Sequence, residues 1–312
     1  MYDDSRTHGG TSMSGDAMNN GSFDLQEWVG RQNVVEEIAS GEGAARLATL
    51  LERDAAKTDG PKTEPQTLFP VGHWLHFSED DVPMSELGAD GHAKLGGFMP
   101  PVDLPRRMWA GSDLEFQTPV QAGQTLTRTS TIESITEKTG GSGRLCFVVV
   151  RHEVSADGIL ATTDRHTIVY REATTSGNVG SAAKPPREDT QAPEGWDWVR
   201  SVRPNEVMLF RYSALTFNSH RIHYDYPYVT EVEGYPGLVT HGPLTATLLL
   251  DAFMKNHPQA TVATYDFRAK SPLFANEQIH LVGRRIDETT HEVAAIAPGG
   301  KTAIAATVTT AP

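Results

Sequence analysis

The chain has 312 residues, a formal net charge of −13, 38% hydrophobic residues and 21% charged residues. That length accommodates one large domain or two ordinary ones around a packed core, and the acidic balance excludes broad nucleic-acid binding, which needs a basic face. No apolar run approaches the roughly 18–20 residues that span a bilayer, and one cysteine, Cys146, leaves no disulfide framework and fits a reducing compartment.

Residues 1–22 carry neither an apolar h-region nor the Arg-rich, acid-poor pattern of a transit peptide. They read as a disordered tail, and the protein is expected in the cytoplasm. From Phe23 to Arg53 the sequence reads as two short helices broken near Gly41. After a Pro-rich loop comes QTLFPVGHWLHF, whose His73 and His76 read as pocket or structural residues because no Gly-Pro apolar helix follows them. From Leu114 the texture is that of strands: LEFQTPV, QTLTRTSTIESITEK, GRLCFVVVRHEVS and ILATTDRHTIVYRE, rich in Thr, Val, Ile and Phe and separated by Gly-containing turns. Residues 173–195 are small, polar and Pro-rich and read as a linker between halves spanning 23–172 and 196–312.

The second half repeats the pattern. VATYDFRAKSPLFANEQIHLVGRRID reads as strand, bend, turn and strand, and HEVAAIAPGGKTAIAATVTT as a closing hairpin with its turn at PGG. Set beside LEFQTPVQAGQTLTRTSTIES, the YDFRAKSPLFANEQIHLVGRRID stretch has the same order of aromatic strand, proline, small-residue turn and amphipathic strand, which implies two related units packed together.

Between linker and closing strands lie FNSHRIHYD (217–225) and HGPLTATLLLDAFMKN (241–256). The second reads as a helix with hardly a polar face, hence one surrounded by protein. Gly242 and Pro243 suit its first turn, where a glycine lets a ligand approach and the free N–H groups face an oxyanion or polarised carbonyl. His220, His223 and His241 gather around this start with Asn218, Tyr224 and Asp225. Such histidines serve as general acids and bases near neutral pH or complete a core; HRIH lacks a further ligand at a recognisable spacing, so no metal is expected.

FNSHRIHYD paired with GLVTHGPLTATLL resembles the MaoC-like hot-dog hydratases and dehydratases, in the branch of hydroxyacyl-thioester dehydratase type 2 and the itaconyl-CoA and mesaconyl-C4-CoA hydratases. LPRRMWAGSDLEFQTPVQAGQTLTRTSTIESITEKTGGSGRLCFVVVRHEVS resembles the N-terminal half of that branch, so the likeness runs over roughly residues 25–312 apart from the linker. It implies an α+β double hot-dog, two antiparallel sheets each wrapped around a central helix. It also implies an acyl-CoA or acyl-carrier-protein thioester as substrate, no cofactor beyond that CoA, and a homodimer. The hydratase motif Asp-x-Asn-Pro-x-His places its histidine on His223, its aspartate on Asn218 and its asparagine on His220, so the usual carboxylate is missing. Asp225 and His220 are the candidates to partner His223, and Gly242 takes the position that donates its N–H to the thioester carbonyl. Itaconyl- or mesaconyl-CoA carries a free carboxylate, for which Arg221 or the Arg106–Arg107 pair is the expected receptor. His241 is expected at the substrate, and Arg268 and Lys270, with Arg284 and Arg285, at the CoA phosphates.

Overall fold

A computed structural model describes residues 24–53, 66–78, 82–140, 143–172 and 191–311. The expected tail and residues 173–190 of the linker lie outside the described residues. The first half contains β1 (Gln32–Ile38), α1 (Gly41–Leu50), β2 (Arg106–Phe116), β3 (Thr125–Gly140), β4 (Gly143–Ala156) and β5 (Ile159–Arg171). The second contains β6 (Trp198–Val202), α2 (Glu206–Thr216), α3 (Gly242–Asn256), β7 (Val262–Ala269), β8 (Ile279–Arg285), β9 (Thr290–Ile296) and β10 (Thr302–Thr310).

Two half-sheets join edge to edge into one sheet of order β1-β3-β4-β5-β2-β7-β10-β9-β8-β6. Read from its outer edge, each half has the same strand order, and each places a helix (α1, α2) after its edge strand. The repeat expected from the sequence is therefore a repeat of topology, with β2 and β3 matching β7 and β8. The seam is the antiparallel pair β2–β7, where Gly111 faces Arg268. A Cβ at Gly111 would lie 2.2 Å from the Phe267 carbonyl oxygen, so only glycine lets the strands close there.

One expectation fails locally. The stretch 23–53 is not two helices: QNVVEEI forms β1, paired with β3 along one side only. Most of its side chains remain exposed, so an edge strand with two wet faces carries no alternation to read.

The long helix is α3. Pro243 sits in its first turn, every residue from Leu244 to Phe253 is buried, and it ends at Asn256 just before His257 and Pro258. Its buried hydroxyls are satisfied by its own backbone, Thr245 Oγ1 donating to His241 O (3.1 Å) and Thr247 Oγ1 to Pro243 O (2.8 Å). Its one acid, Asp251, is fully buried and holds Arg53 (2.6 Å), Arg200 (2.6 Å) and Lys255 (2.9 Å), tying the helix to both halves. In the first half, among the described residues, no helix of comparable length lies over the sheet. A 3-10 segment, Pro70–Leu75, and irregular chain up to Pro105 cover it instead, and α1 packs against α2. Part of the inward face of that half-sheet, at Arg128, His152, Asp164 and His166, borders a cavity.

Candidate active site

The histidine segment is shaped by local backbone chemistry. Helix α2 ends at Phe217 in a left-handed conformation (φ 49°). Asn218 Oδ1 then accepts from His220 N at 2.9 Å, an Asx turn that leads into the 3-10 turn Arg221–His223. His223 is buried, and its Nδ1 lies 2.7 Å from the Val239 carbonyl oxygen. A carbonyl only accepts, so Nδ1 carries the proton and Nε2 the lone pair. Burial lowers its pKa to about 4, against the opposing pull of the Val239 hydrogen bond, so the ring is a neutral base at neutral pH. His241 stacks flat on it (3.6 Å between centroids, 19°) and shares a hydrogen bond with Ser213 Oγ (2.9 Å). Burial also keeps His241 neutral, well below the usual imidazole range. Gly242, the next residue, opens α3 with an N–H that has no acceptor inside the helix.

His223, His220, Asn218 and Gly242 line one wall of a cavity of about 970 Å³ that both halves enclose. The opposite wall is the concave face of the first half-sheet, with Arg107, Arg128, His152, Asp164 and His166. Those positions alternate with solvent-facing ones in register: Ser130 faces His152, and His152 faces Asp164. Asp164 accepts from Trp74 Nε1 (2.9 Å) and lies 3.5 Å from His73 Nε2. Burial would raise its pKa, but the His73 hydrogen bond and the nearby imidazoles hold it well below the carboxylate range. Burial depresses His152 to about 3 and His166 to about 4, in each case against the pull of Asp164, and the Arg128 charge adds to the depression. This end of the cavity therefore holds two guanidinium groups, one carboxylate and neutral imidazoles, a net positive surface. Arg107 has no ion pair among the described residues. A smaller hollow of about 370 Å³ beside Gln191–Glu194 and Gly299–Gly300 contains none of these groups.

The expected residues divide. Asn218, His220, His223, Gly242, Arg107 and Lys270 line the cavity, and His241 lies directly behind His223. Asp225 does not line it: both its partners are local, Arg221 donating from Nε and Nη2 to Oδ2 at 2.9 and 2.7 Å and Tyr228 N donating to Oδ1 at 3.1 Å. Arg221 is spent on that pair and on the Ala89 carbonyl (2.9 Å). Arg106 is ion-paired with Glu233, and Arg268 with Asp113 (2.6 Å) on the outside. Arg221 and Arg106 thus have acid partners of their own, whereas Arg107 and, beyond the expected residues, Arg128 line the cavity. Arg128, His152, Asp164 and His166 escaped the reading of the sequence. Their signal was there: charged and imidazole side chains at alternate positions of strands whose other inward positions are Val and Ile, as at Val148, Val150, Val154 and Ile168.

As His220 and His223 lie just before and in the 3-10 turn that follows edge strand and helix in the second half, His73 and His76 lie in and just after the 3-10 segment that follows them in the first. There the pair is locked: His76 Nδ1 is 3.0 Å from Glu37 Oε1 and its Nε2 accepts from Ser40 N at 3.4 Å. Among the described residues no long-helix start accompanies them as Gly242 accompanies His223.

The family model for hydroxyacyl-thioester dehydratase type 2 matches residues 71–275, which contain both walls of the cavity. The chain belongs to that family. It is 40% identical over 294 residues to the mesaconyl-C4-CoA hydratase of Chloroflexus aurantiacus, covering 92% of this chain and 98% of that protein. It is 29% identical over 240 residues to the mitochondrial hydroxyacyl-thioester dehydratase type 2 of Schizosaccharomyces pombe, covering 69% and 77%. A solved MaoC-like dehydratase superposes with a TM-score of 0.66 at 18% identity, over 92% of this chain and 99% of that one. A Mycobacterium tuberculosis protein described as a double hot-dog does so at 0.51 and 13%, over 90% and 96%. The fold is an α+β double hot-dog, and as a family member the protein is a hydro-lyase acting on acyl thioesters. No described helix is long and apolar enough to cross a membrane.

Proposed function

We propose that the protein adds water to the double bond of a dicarboxylic enoyl-CoA, mesaconyl-C4-CoA or itaconyl-CoA, giving citramalyl-CoA. One observation carries this reading: the neutral His223 and the Gly242 helix start face, across one cavity, a wall bearing Arg107 and Arg128. The thioester oxygen takes the Gly242 N–H, in line with the α3 dipole, which stabilises the enolate-like charge of the addition. With mesaconyl-C4-CoA, His223 Nε2 accepts a proton from water as its oxygen bonds to Cβ, and Cα is protonated in turn; with itaconyl-CoA, whose double bond joins Cβ to the methylene carbon, the proton goes to that methylene instead. Asn218 cannot take a proton and serves to orient. The distal carboxylate binds the arginine wall, where a guanidinium offers a bidentate fork. Lys270 remains for a CoA phosphate.

The second reading is a 3-hydroxyacyl-thioester dehydratase of fatty-acyl chains, favoured by the apolar lining contributed by Trp74, Phe77, Met84, Leu87 and Ile304. Purified protein with mesaconyl-C4-, crotonyl- and longer enoyl-CoA, followed by loss of the conjugated thioester absorbance, and with itaconyl-CoA, followed by chromatographic appearance of citramalyl-CoA, decides between them. Preference for the dicarboxylic thioesters by ten-fold or more, roughly what a charge-pairing site gives as a minimum, supports the first. Equal turnover of crotonyl-CoA supports the second.

A further inference from the structure

The hydratase motif loses its carboxylate at Asn218, and the second half supplies no substitute, since Asp225 lies outside the cavity on Arg221. A carboxylate of the first half nevertheless reaches this site indirectly: Asp90 is not itself in the cavity lining but holds His92, which is. The tight loop Gly88–Ala93 is docked on the histidine segment: Arg221 N donates to Asp90 O (2.8 Å), Arg221 Nη1 to Ala89 O (2.9 Å), and Ser219 Oγ to Gly91 O. Gly91 adopts φ +93°, and a Cβ on it would lie 2.0 Å from the Ser219 carbonyl oxygen, so this closeness requires glycine. The docking places the His92 ring 4.1 Å from His220, whose own ring is 5.4 Å from His223. Asp90 Oδ2 lies 2.8 Å from His92 Nδ1, and Asp90 Oδ1 accepts from His92 N at 3.1 Å.

We infer that His92, held by Asp90, is the second proton-carrying group of the reaction, and that Asp90 is the positioning carboxylate that stands in, from the other half of the chain, for the missing motif aspartate. This rests on the hydratase reading. His92 lines the cavity. Its Nδ1–H donates to Asp90 and so directs Nε2 into use, the arrangement of a carboxylate–imidazole pair. The protons balance. His223 Nε2 takes one from water as the C–O bond forms at Cβ, and the π pair moves toward the thioester. His92, protonated against Asp90, gives one to Cα. The proton on His223 then returns to His92 through cavity water. His220 is unsuited to that role: burial foremost, and then the charges of its two imidazole neighbours, push it down to about 2, so it stays neutral between them. Burial would raise Asp90, but the hydrogen bonds and charge of His92 hold it well below the carboxylate range, so it stays ionised. Asp164, the other acid on the cavity wall, is engaged by Trp74 and His73.

The test is kinetic. Asp90→Asn keeps the backbone contact and removes the charge; its kcat on the preferred enoyl-CoA should fall about 100-fold and His92→Gln at least as far, the span of one acid/base group, with KM within about three-fold. Asn218→Asp in the Asp90→Asn background should restore at least about ten-fold of kcat, a rescue that repair of a merely structural contact would not produce. The kcat–pH profile should lose its acid-form limb in Asp90→Asn; Asp90, His220 and His223 act on His92 directly, and Arg107, Tyr228 and Arg221 are the further charged and titratable groups around that cluster. Single variants within about three-fold of wild-type kcat overturn the proposal. So does a stoichiometric metal whose chelation abolishes activity, because Asp90, His92 and His220 place ligand atoms within 4.8 Å of one another. If the wild type hydrates none of the thioesters, the hydratase reading is what fails. Imidazole ¹⁵N spectra then judge the pair separately: an Nδ1–H signal of His92 that Asp90→Asn shifts upholds it, and a lone pair at Nδ1 refutes it.

Discussion

Acidification should unfold this protein well before its carboxylates titrate. His152, His166 and His223 have folded pKa values depressed from 6.5 to about 3, 4 and 4, chiefly by burial. On unfolding each regains an ordinary imidazole pKa. The unfolded chain therefore binds more protons than the folded one below that value, and stability falls as pH falls. The slope is about 1.4 kcal/mol per pH unit for each histidine, starting below the ordinary 6.5 and flattening near the folded values. At about pH 5 that is about 2 kcal/mol each and about 6 kcal/mol for the three, against a total stability of about 5–15 kcal/mol for a folded domain. His220 and His241 act in the same direction. Asp90 and Asp164 do not share this window: their depressed pKa values give stability that is present above the ordinary 3.8 and lost only below it. Urea unfolding at constant ionic strength, from about pH 7.5 down to about pH 5, reads the effect as a falling midpoint at constant m. His166→Asn should reduce the slope by about 1.4 kcal/mol per pH unit. A stability flat to within about 1 kcal/mol across that range would refute burial of neutral histidines on the cavity wall.

His223→Ala should lower kcat about 10²–10⁴-fold with little change in melting temperature, because it removes one acid/base group; near wild-type turnover takes His223 out of the chemistry. Arg128→Met or Arg107→Met should cut turnover of mesaconyl-C4-CoA and narrow its advantage over crotonyl-CoA by about 10–100-fold, read from kcat/KM on both thioesters; an unchanged ratio removes that arginine from carboxylate recognition. Asp251→Ala should destabilise the fold by about 3–5 kcal/mol in urea unfolding, because it strands Arg53, Arg200 and Lys255 around a buried position; a loss under about 1 kcal/mol would mean that these cations find water instead.

The parts of the fold legible in the sequence are those where burial imposes a pattern. Strands β3, β4 and β5 each show alternation or β-branched runs because one face is covered, and α3 shows an unbroken apolar surface because protein surrounds it. Edge strands β1 and β6 left too little buried surface to impose a period. Helix α2 exposes Val207 and Phe210, which blurs its amphipathic stripe. In the site, His223 and Gly242 were readable because the turn and the helix start are near in sequence. The contact between the Gly88–Ala93 loop and Ser219–Arg221 joins segments more than a hundred residues apart, and no local rule connects them. The pairing of the arginines was hidden for a related reason: whether a guanidinium is available to a ligand depends on which acid claims it first. Asp225 and Glu233 claim Arg221 and Arg106.

The repeated topology also explains why the chemistry is confined to one site. Each half-sheet has a concave face that must be covered. In the second half α3 covers it with apolar side chains, and its start, brought to the cavity by that burial, is the N–H donor proposed for the thioester. In the first half no comparable helix does so among the described residues, and while Ile132, Val148, Val150 and Val154 still pack in apolar clusters, the inward positions between them line a cavity. Only at such positions do Arg128, His152, Asp164 and His166 escape the full cost of burying polar groups without partners. The same absence removes the helix start that His73 and His76 would need, so their half keeps a binding wall and loses a catalytic one. The loop at Asp90–His92 then hands a carboxylate back across the interface to the half that kept the helix. Neither half by itself holds the base, the N–H donor, the carboxylate and the arginine wall together; the site exists only where β2 is joined to β7.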